Sequence, residues 1–186
     1  MHGQDLLIQA LVYLTAGVIS VPIAGGPRQV ILGNIDHPAN LVVDGKDLLV
    51  VEDYSGNIIR TPAGGGNVGR TKIGPSALGL AVSGGFAYTA SLGPQPQIWK
   101  LPVAGGPAVS LAAGGLTPYA LATDGKWVYW VDYGEFMKKN GALYRVSVSG
   151  GPVTQLAAKL SEPEWLDIDP TYVYWTETTK VVRTPR

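Results

Sequence analysis

The chain contains no cysteine, which excludes disulfides, thiolate metal sites and cysteine nucleophiles. It has two histidines, His2 and His37, and neither sits in a His-x-His or HExxH spacing. An imidazole-built metal centre therefore has no motif, and a catalytic triad would have His37 alone, just before Pro38, to draw on. Charge is scarce and balanced: 15% of the 186 residues are charged, 14 basic against 14 acidic. The lysines and arginines are dispersed apart from Lys138-Lys139, so nothing draws a phosphate backbone and nucleic acid is not an expected partner. No cofactor is expected either. Helical periodicity is also missing, since no eleven-residue window carries an apolar stripe of period 3.6. The one long apolar run, residues 6–24, follows Asp5 rather than a basic residue and is broken by Gln9. It reads as folded strands, with no clear signal peptide and no membrane span.

What is abundant is glycine (25), proline (14) and a repeat. Gly-Gly pairs stand at Gly25-Gly26, Gly65-Gly66, Gly105-Gly106 and Gly150-Gly151, at spacings of 40, 40 and 45. "LVVDGKDLLVVED" (41–53), "LATDGKWVYWVDY" (121–133) and "LDIDPTYVYWTET" (166–178) keep the same step, and "LAVSGGFAYTA" (80–90) is a weaker copy. A period of this length means stacked supersecondary units. Each unit reads as four short strands, here called positions A to D, rich in Val, Leu, Tyr, Trp and Thr. Asp44, Asp124 and Asp169 recur between A and B, where aspartate caps a tight turn. The Gly-Gly pair joins C to D, and the following proline (Pro27, Pro107, Pro152) lacks an N–H, which makes D the outer edge. Four antiparallel strands per 40–45 residues is a β-propeller blade.

"YWVD" (129–132) and "YWTE" (174–177) resemble the Tyr-Trp-Thr-Asp repeats of low-density-lipoprotein-receptor-type propellers. "LYRVSVSGGPVTQLA" (143–157) followed by "PEWLDIDPTYVYWTE" (163–177) is similar to repeats of bacterial, usually exported, propeller proteins, some of them NHL-like. Two blades depart from the motif, with "LVVE" (49–52) and "YTAS" (88–91). The resemblance implies an all-β propeller of four-stranded antiparallel blades and an extracellular or envelope location; receptor-type rings have six blades. This chain starts at position B and stops at C, giving repeats at approximately 5–43, 44–82, 83–123 and 124–168 and a partial one at 169–186, in one domain spanning 1–186. The expectation is about four and a half blades in an incomplete or open ring, with a closed five-bladed ring as the rival. An uncovered blade face of about 400 Å² would forgo about 10 kcal/mol at about 25 cal/mol/Å². Self-association, or pairing with another propeller segment, would cover it.

No residue cluster announces a chemistry. The acids at the end of B and the cations on C suggest cross-strand ion pairs Glu52–Arg60, Asp132–Arg145 and Glu177–Arg183, each worth about 0.2–1 kcal/mol. Trp127, Tyr129, Trp130, Tyr174 and Trp175 on B, with Trp99 and Tyr144 on C, read as packing between blades. Loop lengths discriminate better. The A–B and C–D turns are uniform, whereas the B–C and D–A loops vary, from "YSGN" (54–57) to "YGEFMKKNG" (133–141). In antiparallel blades these variable loops share one rim, where binding residues collect. The candidate binding rim is Tyr54, Tyr119, Tyr133, Phe136, Lys138, Lys139 and Trp165. The expected function is a non-enzymatic scaffold binding a protein or small ligand there. The alternatives are a metal-dependent propeller hydrolase or lyase, and a degenerate fragment without independent function.

Overall fold

The computed structural model describes residues 5–10, 16–113 and 115–186, with side chains from residue 17 onward. Eighteen strands and no helix occupy the described residues. The first sheet holds β1 (Asp5–Ala10), β2 (Ala16–Pro22) and β3 (Gln29–Ile35), so the apolar run near the start forms strands at 6–10 and 16–22, and its residues 11–15 lie outside the described residues. The second is β4 (Pro38–Asp44), β5 (Asp47–Glu52), β6 (Asn57–Pro62) and β7 (Gly69–Lys72). The third is β8 (Ser76–Ser83), β9 (Phe86–Leu92), β10 (Gln97–Pro102) and β11 (Val109–Ala113). The fourth is β12 (Pro118–Thr123), β13 (Trp127–Asp132), β14 (Gly141–Ser147) and β15 (Thr154–Leu160). The last is β16 (Leu166–Ile168), β17 (Tyr172–Glu177) and β18 (Lys180–Pro185). Every sheet is an antiparallel meander in chain order. Among the described residues, the first lacks position A and the last lacks position D. Each sheet draws its A strand from the end of one sequence repeat and the following strands from the next. The five sheets form a partial ring of propeller blades.

The Gly-Gly turns work as their sequence requires. Gly25, Gly65, Gly105 and Gly150 each donate a backbone hydrogen bond three residues back, at 2.8–3.0 Å. Both glycines of each pair have positive φ, a region closed to most side chains. The D strands that follow lie at the sheet edge and are largely exposed.

Packing explains why position B reads as an unbroken apolar run. Its successive side chains point to opposite faces, and both faces are covered by a neighbouring blade. Leu48 and Val50 join Val18, Ile31, Leu32 and Ile35 of the first blade, whereas Leu49 and Val51 join Ala77, Leu80 and Ala87 of the third. Tyr88, Ala90, Val128 and Trp130 fill the next interface, and Tyr129, Val131, Val173 and Trp175 the last. The strand-B aromatics therefore pack between blades; Tyr129, Trp130 and Trp175 are buried, and Trp127 and Tyr174 half-buried. The A strands β4, β8, β12 and β16 adjoin one another in order on the inner side, which places their ends around a common channel.

Candidate functional site

The A strands share an irregularity that sequence periodicity did not reveal. In β4, Pro38 pairs with Glu52 and Asn40 with Val51, leaving Ala39 extra. In β8, Leu78 pairs with Ala90 and Leu80 with Thr89, leaving Gly79 extra. In β12, Tyr119 and Ala120 together oppose the single Val131. Each is a bulge, which bends a strand and re-aims its side chains. The bulged residues line one pocket of about 290 Å³ at the channel mouth, on the rim of the B–C and D–A loops. His37, Asn40 and Asp53 come from the second blade, Leu78 and Gly79 from the third, Tyr119 and Ala120 from the fourth, and Glu164 and Trp165 from the last. Thr89 is fully buried and its hydroxyl donates to the Gly79 carbonyl at 2.8 Å, which satisfies one bulge oxygen.

His37 lies in the loop between β3 and β4. It holds a positive φ of 47°, its backbone carbonyl accepts the Asp53 N–H at 3.0 Å, and its ring stacks on Tyr54 at 4.2 Å and 15°. Its Nδ1 lies 3.7 Å from Asp53 Oδ2, beyond hydrogen-bond length, and has no partner among the described residues. The other carboxylate oxygen, Asp53 Oδ1, accepts the Ser76 hydroxyl at 2.5 Å.

Of the rim residues expected from loop length, Tyr119 and Trp165 line this pocket, and Tyr54 borders it through His37. Tyr133 stands one step away, with its ring 5.9 Å from Tyr119. Desolvation and the nearby charges of Glu162 and Glu164 raise the Tyr133 pKa above the ordinary value. Glu162 also accepts the Met137 N–H at 2.6 Å, which ties the long B–C loop of the fourth blade to the neighbouring D–A loop. Phe136, Lys138 and Lys139 ride on that loop, exposed and outside the pocket.

The three expected ion pairs do not form, and strand register is the reason. Glu52 sits opposite Asn57, while Arg60 sits opposite Leu49. Asp132 and Arg145, and Glu177 and Arg183, show the same three-residue offset. Three residues is an odd number, so acid and cation lie on opposite faces and about 10 Å apart along the strand. The cations instead reach the first residue of strand B diagonally on their own face. Lys100 lies 4.1 Å from the Phe86 ring, Arg145 4.5 Å from Trp127 and Arg183 4.2 Å from Tyr172. Where that residue is Asp47, Arg60 makes an ion pair with it at 2.8 Å. The column Asp47, Phe86, Trp127, Tyr172 carries this signal in the sequence.

The acids at the end of B have a different task. Asp132 is buried and accepts three backbone N–H groups, from Leu116 at 2.6 Å, Thr117 at 2.9 Å and Gly134 at 2.8 Å. Glu52 accepts Asp36 N–H at 3.0 Å, together with Asn57 at 2.8 Å and the Ser55 hydroxyl at 3.0 Å. Glu177 accepts Ser161 N–H at 3.0 Å. Each carboxylate fastens the D–A loop entering its own blade. Burial opposes ionisation of Glu52, but these hydrogen bonds and Arg70 outweigh it and hold its pKa below the ordinary value. Ser91 takes the position in the third blade and accepts the Trp99 indole N–H at 2.9 Å.

Asp124 and Asp169 do cap turns. Asp124 Oδ1 accepts the N–H groups of Lys126 and Trp127 at 2.8 and 2.6 Å; Asp169 Oδ1 accepts those of Thr171 and Tyr172 at 2.6 and 2.7 Å. Asp44 stands at the corresponding turn, opposite Asp47. Arg186 joins two blades by contacting the Asp124 carboxylate and donating to the Asp169 carbonyl at 2.6 Å. Among the described residues, no group of three or more His, Asp or Glu side chains is placed to hold a metal ion, and no helix is long and apolar enough to cross a membrane.

No protein-family model matches the chain, and the comparison with curated proteins gives no match. Solved structures are. The chain is similar to a chain of the nidogen/laminin complex, a YWTD-type propeller, at 18% identity and a TM-score of 0.80, covering 98% of this chain and 74% of that one. It is similar to the computationally designed Ika8 protein at 14% identity and a TM-score of 0.71, over 97% of this chain and 57% of that one. The designed Ika4 protein gives 13% identity and a TM-score of 0.66, over 81% and 91%. At such identities the likeness is one of fold: an all-β propeller of four-stranded antiparallel blades, in a partial ring, resembling the YWTD type.

Proposed function

We propose that the chain is a non-enzymatic β-propeller scaffold that binds a protein or ligand through the rim of its B–C and D–A loops, as a segment of a larger propeller in an extracellular or envelope setting. The observation that carries this reading is the convergence of four blades on one mouth, with Tyr54 and Trp165 each 65% exposed beside it. Large exposed aromatics around a concave pocket fit recognition better than they fit solvation. The structurally similar chain comes, by its name, from a complex of nidogen with laminin, which supports protein binding here. A second hollow of about 360 Å³, lined by Trp165, Leu166, Tyr174, Trp175 and Val181 on the last blade, supports coverage of that face by further propeller structure. The test is selection of peptides from a phage-displayed random library on the immobilised protein. Enriched peptides are expected to lose binding to a Tyr54→Ala/Trp165→Ala/Phe136→Ala variant and to retain it when the opposite rim is altered at Val109 and Val153. Peptides that depend on the opposite rim alone would refute the assignment.

A further inference from the structure

We infer that the channel-mouth pocket is a receptor for a lysine side chain of a protein partner. This rests on the rim-binding reading above and names its chemistry. The pocket wall contains two carboxylates, Asp53 and Glu164, and no lysine or arginine. Asp53 Oδ1 is satisfied by Ser76, but among the described residues Oδ2 accepts no hydrogen bond, and the buried His37 Nδ1 beside it supplies none. The Asp53 side chain is 16% exposed, so Oδ2 is held in place by the fold yet open to a donor that a ligand brings. The His37–Asp53 gap of 3.7 Å is too long for a direct hydrogen bond. A primary ammonium is a compact group with three donors. Seated against this wall it gives one to Asp53 Oδ2 and one toward Glu164, and the third stays with water at the mouth. Trp165 and Tyr119 supply aromatic surface, which attracts a cation and covers the aliphatic stem. A volume of about 290 Å³ lies just below the roughly 300–1,000 Å³ of small-molecule sites, which suits one inserted side chain.

The pentapeptide acetyl-Gly-Ser-Lys-Ser-Gly-amide, titrated into the full chain and followed by the NMR signal of the Trp165 indole N–H, tests this. Saturable shifts are expected at Trp165, Tyr119 and Asp53, weakening as salt is raised. The Glu164→Gln variant, whose carboxylate has no structural partner in the fold, is expected to bind about fivefold or more weakly; adding Asp53→Asn should abolish binding, with unchanged spectral dispersion elsewhere confirming the fold. The inference is overturned if the norleucine peptide binds as well, if the arginine peptide binds as tightly, or if the charge-neutralised variant binds equally. Equal binding of n-butylammonium would point to a free amine instead of a protein side chain, and overturns it too. If no cationic peptide binds while library-selected peptides still depend on the rim, the lysine inference fails alone. If rim dependence is also lost, the scaffold reading fails with it.

Discussion

Replacing Asp132 by alanine separates two accounts of the same residue. As half of an exposed ion pair with Arg145 it would be worth at most about 1 kcal/mol. As a buried acceptor of three backbone N–H groups, at 2.6–2.9 Å, it is worth much more. Hydrogen bonds to a charged group contribute about 1.5–3 kcal/mol each, and the stranded N–H groups add a desolvation cost. Water entering the vacated space recovers part of this, so Asp132→Ala is expected to cost about 3–5 kcal/mol. Asp132→Asn keeps the shape but turns one acceptor into a donor, and about half that loss is expected. The assay is urea unfolding followed by tryptophan fluorescence, run as a cycle with Arg145→Met. Arg145 contacts Trp127 rather than Asp132, so its own removal should cost about 0.5–1 kcal/mol, and the coupling between the two sites should be near zero. An Asp132→Ala loss below about 1 kcal/mol, or a coupling above it, would refute the capping account.

Other outcomes follow from the same geometry. Gly45 and Gly79 have nearly equal φ, 61° and 62°, but a Cβ on Gly45 meets nothing within 4 Å, whereas on Gly79 it would lie 2.5 Å from the Tyr119 carbonyl. Gly45→Ala is therefore expected to cost only the left-handed strain, about 1–2 kcal/mol, and Gly79→Ala clearly more; equal losses in urea melts would contradict the close approach. Trp130→Ala empties the interface between the third and fourth blades and should cost about 3–5 kcal/mol by chemical denaturation. For pH, Glu52 and Asp124 both have folded pKa values held below their ordinary ones; burial opposes this in each, and hydrogen bonds and a nearby arginine prevail. The unfolded chain then binds more protons in that range, so stability is full above about pH 5 and falls as acid protonates the folded carboxylates; melting temperatures should drop below about pH 4, and a flat profile for wild type would count against it. Light scattering should show association that buries the open blade faces; a clean monomer argues against an associating arc.

The blade pattern was legible because it is written in local chemistry. Glycine pairs, Asp turns and proline edges each follow from backbone sterics within a few residues, and strand order follows from them. The burial of Leu48 to Val51 on both faces was legible as an apolar run. Pairing at a distance was not. Glu52 and Arg60 look complementary in a linear reading, and only the register of β5 on β6 places them on opposite faces. The bulges at Ala39, Gly79 and Tyr119-Ala120 were also hidden, because one extra residue in a strand leaves composition and period nearly unchanged. His37 and Asp53 became interesting only when the bulges and loops brought them beside residues more than a hundred positions away.

Two kinds of repetition thus meet in the second and fourth blades. The C–D turns repeat because every blade needs the same hairpin, and their glycines leave little room for variation. The carboxylate at the end of strand B repeats for a different reason: it anchors a loop whose sequence is free to differ. Asp36, Leu116-Thr117 and Ser161 are unrelated residues, yet each presents a backbone N–H to the same position. Because the contact is to backbone, the side chains of the D–A loops remain available to the mouth. Asp132 shows how close the fit is, since a Cβ on Gly115 would stand 1.8 Å from its Oδ2. A rim built this way can change its recognition surface without changing its frame, and that is why the variable loops, held in three blades by a strand-B carboxylate, are where a ligand should be sought.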